Sequence, residues 1–483
     1  MTSNKAKSDF LIILVGKLLQ VVLMIFAIKI STKLLEPKEM GNIYIFTTIY
    51  TFFVLSFISP FGQYINRHTH KWYQNKSLLD NLGLYGLYLI TISIFSVLVG
   101  LLLYNFGVSQ GMELSFFLSL LFLFIFFMTL NQTILPILNM LHYRLSFTIL
   151  TVLTTFGVIL FGYLFVKLFG SSAVNWLFGT VVSNIIFMVI GFFVLKNRLN
   201  ENFHGFFHSI KKITQKKLKS ILVFVLPLSV ATLFMWLQNS GYRILIEQKI
   251  GLEFLGLLGV GLAVSGQIAS TIESIVMQYF HPIYYEQITN ATIEERKKAI
   301  ENLINKVLPI YFMLAILITF LAKYVVEILV DEKYYGVYVF TVFGIWIEFF
   351  RMSSNLFGNI SQSEMNTKKF MIPYIVGSLV TIFLVYLSCL QADYSFYLPI
   401  SLLVGGLFTM LEMYISMKKL IDFKINFRLI FLSFLISIPY ISIYFLHFQT
   451  SLFLNLLIVG SFGLYFLGTI YFIYKKGLSY GNS

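Results

Sequence analysis

Lys17 stands in the middle of an otherwise apolar stretch, LVGKLLQVVLMIFAIKI, from Leu14 to Ile30. Seven residues past Phe10, it lies about 10 Å along a helix at roughly 1.5 Å per residue. A charge at that depth in a membrane costs about 2.5–3.5 kcal/mol on insertion scales. Such a cost points to a cavity or a partner, and Gln20, three residues on, shares its face. Arg351 is as deep in a later apolar run, with Glu348 one helical turn away. A substrate role and a self-neutralising pair fit those two equally well. Asn131, Gln132, Asn184, Gln238 and Asn239 supply amide donors, although hydrogen bonding between helices is the commoner duty of such groups. Lys29 and Arg243 fall near one surface, where snorkelling explains them and a gate is the alternative. Embedded cations and amides are groups that an anionic substrate would need. Glu273 and Glu412 stand alone in apolar runs and would take a proton or a sodium ion, or pair with a nearby cation.

The elements that must position these groups are membrane spans. Of 483 residues, 58% are hydrophobic and only 12% charged, half the roughly 25% of soluble domains. Windows of about 20 apolar residues give fourteen expected spans, beginning Phe10 to Ile30 and Asn42 to Ile65, with Ile221 to Ser240 as the seventh and Leu452 to Tyr474 as the last. The first run carries charge and lacks a small-residue cleavage pattern, so a spanning helix is expected there in place of a signal peptide. With the N-terminus inside, 25 of the 35 lysines and arginines fall on the cytoplasmic side. The formal charge of +14 therefore expresses the positive-inside rule, not nucleic-acid binding. Both termini are expected in the cytoplasm.

The longest connection, residues 196–220, mixes lysines with apolar residues and is expected to lie on the anionic inner leaflet. It separates residues 1–195, with six spans, from residues 221–424, with six more; residues 425–483 add two. KLLEPKEMGNIYIF and QKIGLEFLGLLGVG open the two parts alike, with Gly41 and Gly256 at matching places. The expected architecture is an all-α integral membrane protein of about fourteen transmembrane helices: two pseudo-symmetric six-helix halves around a central cavity, plus two extra C-terminal helices. Pro136 and Pro227 are expected to bend the fourth and seventh spans.

KISTKLLEPKEMGNIYIFTTIYTFF, followed by SPFGQYINRH, resembles the opening of the Wzx-like polysaccharide flippases, a branch of the multidrug/oligosaccharidyl-lipid/polysaccharide exporter superfamily. LPLSVATLFMWLQNSGYRILI and LVDEKYYGVYVF look like that family's second-half motifs. The resemblance covers the chain from about Phe10 to Lys424. It implies movement of an undecaprenyl-diphosphate-linked oligosaccharide, such as an O-antigen repeat unit, from the inner to the outer leaflet of the bacterial inner membrane. Other polysaccharide-assembly proteins would be partners, besides membrane lipids and the lipid-linked substrate.

Other functions fit less well. The chain has no G-x-x-x-x-G-K-[ST] phosphate loop, and its seven histidines and single cysteine, Cys389, lack metal-ligand spacing. No cofactor, metal or enzymatic activity is expected, and proton or sodium coupling stays open. A drug exporter of the same superfamily would want acids in the first six spans, whose interiors contain none. A polymerase or ligase would want a large external loop. A lipid II flippase shares the plan and the anionic cargo. Fourteen spans can enclose a pathway in one chain, so a monomer is expected.

Overall fold

The computed structural model describes residues 3–199, 201, 215–364, 366, 368–446 and 451–479. Most of the basic linker, including Lys211 and Lys212, lies outside them, and so do His204, His208 and His447. The regular structure of the described residues is helical, with no strand among them. Among the described residues, thirteen helices are long and apolar enough to cross a membrane. In chain order the helices are α1 (Ser3–Leu34), α2 (Pro37–Gln74), α3 (Leu78–Asn105), α4 (Leu114–Met140), α5 (Arg144–Phe169) and α6 (Ala173–Arg198). The seventh expected span falls on α7 (Gln215–Trp236), which continues through a π-helical turn, Leu237–Gly241, into Tyr242–Lys249. Then follow α8 (Leu252–Ile288), α9 (Ile293–Leu329), α10 (Tyr338–Ser363), α11 (Lys368–Ser388), α12 (Tyr394–Lys418), α13 (Phe427–Phe445) and α14 (Leu452–Ser479).

Two compact units result, Met1–Trp236 with Ile246–Gly256, and Leu237–Leu245 with Leu257–Ser483. In the first, close helix packing rests on small residues, as expected where lipid supplies no hydrophobic drive for association. Gly157 of α5 admits Ser183 of α6, and Gly179 lies on the α5 backbone at Phe161 and Gly162. α1 touches α5 through Gly16 and Thr148 and is otherwise little buried. The starts of α2 and α8 also meet in this unit. Gly41 faces the carbonyl of Leu252, and Gly256 faces that of Pro37.

The second unit is organised around α9, the most buried of the spans. Its start is fixed by a capping box, in which Thr292 and Glu295 satisfy each other's backbone N–H groups. α13 and α14 are tied to it by the Tyr324 hydroxyl donating to the Leu446 carbonyl at 2.7 Å and by Asn455 donating to Glu327 at 2.8 Å. α11 and α12 pack through paired small residues, Gly377 on Thr409 and Gly405 on Thr381.

Two further π-helical turns interrupt membrane helices, Val54–Ile58 in α2 and Phe124–Met128 in α4. The sequence reading placed bends at prolines, and Pro136 does lie inside α4. The π turns carry no proline, so nothing in composition announced them.

Candidate functional site

A cavity of about 350 Å³ opens within the second unit. Among the described residues, the charged ones that line it are Arg243, Glu348 and Arg351. The π turn of α7 brings Gln238 and Asn239 to its wall, and Arg243 follows on the next turn. Inserting a residue into the i→i−4 ladder rotates the side chains that follow, which is why such turns recur at functional sites. Gln238 is held by α12: its Nε2 donates to the Gly405 carbonyl at 3.4 Å and to the Thr409 hydroxyl, while its Oε1 is buried without a partner. Arg243 lies over the ring of Tyr242 with 5.9 Å to the centroid.

Another part of the lining belongs to α10. Arg351 donates from Nε to Glu348 at 2.6 Å and from Nη2 to Glu273 of α8 at 2.9 Å. Glu273 was isolated in the sequence; in the fold it has two partners, since Asn355 donates to its other oxygen at 3.0 Å. The Tyr374 hydroxyl of α11 donates in turn to Asn355 at 3.3 Å. A network therefore joins α8, α10 and α11, with two carboxylates sharing one guanidinium. Each carboxylate takes one N–H of the planar guanidinium in a charge-assisted hydrogen bond. Gly266 of α8 faces Glu348 Oε1, and with no side chain there the carboxylate is open to the cavity.

The structure thus brings Gln238, Asn239, Arg243, Glu348 and Arg351 to one cavity, with Glu273 behind it. It does not bring the remaining candidates there. Asn131 and Asn184 pair in the first unit, amide to carbonyl at 3.0 Å, both buried between α4 and α6. Asn184 also donates to the Thr180 carbonyl. Gln132 is exposed beside them. Lys17 is exposed on α1, with Gln20 half-buried a turn away and Lys29 half-buried nearer the helix end. Glu412 is half-buried on α12 and accepts from Ser416 at 3.3 Å.

Tyr374, Asn355, Thr409, Ser354 and Gly266 were missed by sequence reasoning, because hydroxyls and glycines are ordinary packing residues in membrane helices. Among the described residues no group of three or more histidine, cysteine or acidic side chains could hold a metal ion.

Beyond the seventh apolar run, Glu247 accepts the Ser109 N–H at 2.6 Å. Burial pushes its carboxyl up to about 7, against the downward pull of that hydrogen bond. Burial likewise raises Glu201, which accepts the Leu79 N–H at 3.0 Å.

No family model matches the chain, and no curated protein matches it. Solved structures do. The lipid II flippase MurJ in an inward closed conformation is similar at a TM-score of 0.68 and 14% identity, covering 97% of this chain and 99% of that one. This chain has the fold of that flippase. An inward-facing multidrug resistance MATE family transporter of the MOP superfamily is similar at a TM-score of 0.55 and 13% identity, over 83% of this chain and 95% of that one. A MATE protein in the straight conformation gives 0.52 and 15%, over 85% and 95%. The likeness in fold extends over nearly the whole chain, and the protein is a multi-pass membrane protein whose described regular structure is helical.

Proposed function

We propose that this protein is a flippase that carries an oligosaccharide linked to undecaprenyl diphosphate from the inner to the outer leaflet of the bacterial inner membrane, both termini facing the cytoplasm. The observation that carries this reading is the likeness to a lipid II flippase along 97% of the chain. Fold alone does not choose a cargo, and the residues supply the rest. Cations on membrane helices, Lys17 exposed on α1 of the first unit and Arg243 and Arg351 at the cavity of the second, suit an anionic headgroup. The spans of the first half hold no interior acid to attract a cationic drug.

In this reading, the residue 1–195 and 221–424 halves alternate access, residues 196–220 tether them, and the lipid tail stays in the bilayer. Lys17, Gln20, Lys29 and the cavity residues meet the cargo. Outward movement of an anion from an inside-negative cell is favoured by roughly 2.3 kcal/mol per charge per 100 mV. Proton or sodium coupling at Glu273 or Glu412 would add to that.

A second reading, transport of lipid II itself, is favoured by the same likeness. Deleting the gene in the native bacterium distinguishes them. The proposed cargo predicts loss of surface polysaccharide with a trapped, cytoplasm-facing lipid-linked repeat unit and normal cell-wall synthesis. Accumulated lipid II with a cell-wall defect would favour the second reading, and normal polymer with normal cell wall would sink both.

A further inference from the structure

We infer that Glu348 and the anionic headgroup compete for Arg351, so that binding of a diphosphate in this cavity is tied to uptake of one proton by Glu348. The inference rests on the proposed function for the identity of the anion.

The two carboxylates on Arg351 are not equivalent. Glu273 is fixed on both oxygens, by Arg351 at 2.9 Å and by Asn355 at 3.0 Å, and Tyr374 holds Asn355 in place. Glu348 is bonded to Arg351 alone, at 2.6 Å, and its other oxygen looks past Gly266 into the cavity. The weaker tether is therefore on the cavity side.

Two carboxylates against one guanidinium leave one negative charge in a membrane-embedded site. Arg243 lines the same cavity. A diphosphate drawn to Arg243 and Arg351 takes the Nε–H that Glu348 uses and leaves Glu348 a carboxylate beside an anion. Like charge at short range disfavours ionisation, so Glu348 takes a proton from water and becomes a neutral acid whose O–H can donate to the bound oxyanion. No covalent bond changes, and the proton returns to water when the anion leaves and Glu348 re-forms its bond to Arg351. By linkage, a lower pH strengthens anion binding by the same factor that anion binding favours the proton.

The other titratable groups facing this cluster are Glu273 and His281 on α8, Tyr311 on α9, Tyr374 on α11, and Tyr242 with Arg243 on α7. α12 presents Thr409 to the cavity, with Glu412 on the same helix. Tyrosines and arginines do not titrate between about pH 5 and 8. His281 is the histidine among these groups, and its substitution serves as the control.

The test is calorimetric titration of the purified full chain with farnesyl diphosphate in two buffers of different ionisation enthalpy. Wild type should take up about one proton more per anion bound than Glu348→Gln, and Glu348→Gln should bind several-fold tighter because the internal competitor is gone. His281→Gln should keep the wild-type uptake. Equal uptake by wild type and Glu348→Gln, weaker binding by Glu348→Gln, or loss of uptake only in His281→Gln would each overturn the competition. A parallel titration with inorganic pyrophosphate separates the sources of the anion: weaker binding than farnesyl diphosphate supports a lipid headgroup, and equal binding overturns that assignment. Absence of any binding overturns the inference while leaving the flippase reading to its own test on cells and liposomes.

Discussion

Gly41 on α2 and Gly256 on α8 make a reciprocal contact, each lying against the backbone carbonyl of the first residue of the other helix, Leu252 and Pro37. Each glycine sits four residues into its helix. The weak likeness between the openings of the two parts of the sequence thus coincides with a symmetric crossing of those two segments. A methyl group on either glycine would meet backbone, which cannot swing aside as a flexible side chain can. Gly41→Ala and Gly256→Ala should each cost about 1–3 kcal/mol by overpacking, and the double variant should cost less than their sum because both act on one contact. Thermal melting of the four proteins checks this; single variants as stable as wild type would show that the crossing is loose.

The buried amide pair Asn131–Asn184 is expected to hold α4 to α6 without touching the cargo. Polar pairs in membrane helices average about 0.6 kcal/mol and reach about 1.7 kcal/mol. Asn131→Leu should therefore lower stability by an amount in that range, while leaving flipping per folded molecule unchanged. Export that fails in a well-folded Asn131→Leu protein would return this pair to the transport pathway.

How much of this was legible beforehand depended on sequence distance. The spans were legible because apolar runs of about 20 residues are hard to produce otherwise, and Arg351–Glu348 was legible because both sit on one helix, three residues apart. Glu273 was not, since 78 residues separate it from Arg351 and only the packing of α8 on α10 joins them. Gly41 and Gly256 could be aligned, yet their facing contact needed the fold. The π turn that directs Gln238 and Asn239 to the cavity has no compositional mark at all. Lys17, conspicuous in the sequence, is exposed on α1 and outside the lining of the cavity.

Glu273→Gln and Glu348→Gln should behave differently despite their similar chemistry. Glu273 ties α8 to α10 and, through Asn355, to Tyr374 of α11, so its neutralisation disrupts a partly buried network, for which breaking a buried pair typically costs about 3–5 kcal/mol; lowered melting temperature and yield are expected. Glu348→Gln should fold normally. Comparable destabilisation in both would argue that the cavity-side carboxylate is as structural as the other.

Glu247 gives a pH signature. Its carboxyl is raised from 4.5 to about 7 by burial, so the folded state binds the proton more tightly than the unfolded state. The associated stability is fully present below about 4.5 and is lost as pH rises through about 7. Glu247→Gln should flatten the dependence of melting temperature on pH between those limits and leave the protein more stable than wild type above pH 7. An unchanged slope in the variant would place the titration elsewhere.

Lys17→Ala should abolish most cargo movement without destabilising the protein, because the lysine is exposed and its removal opens no cavity. Lys17→Arg, which keeps the charge, should restore it. Full export by Lys17→Ala would remove this cation from the pathway.

The most direct test of the flippase itself is reconstitution. Liposomes carrying undecaprenyl-diphosphate-linked oligosaccharide in both leaflets are treated with a membrane-impermeant glycosidase, with and without the purified protein. Digestion should stop near half of the lipid in empty liposomes and proceed to nearly all of it when the protein is present. Digestion that stays at half in the presence of folded, correctly inserted protein would contradict the assignment.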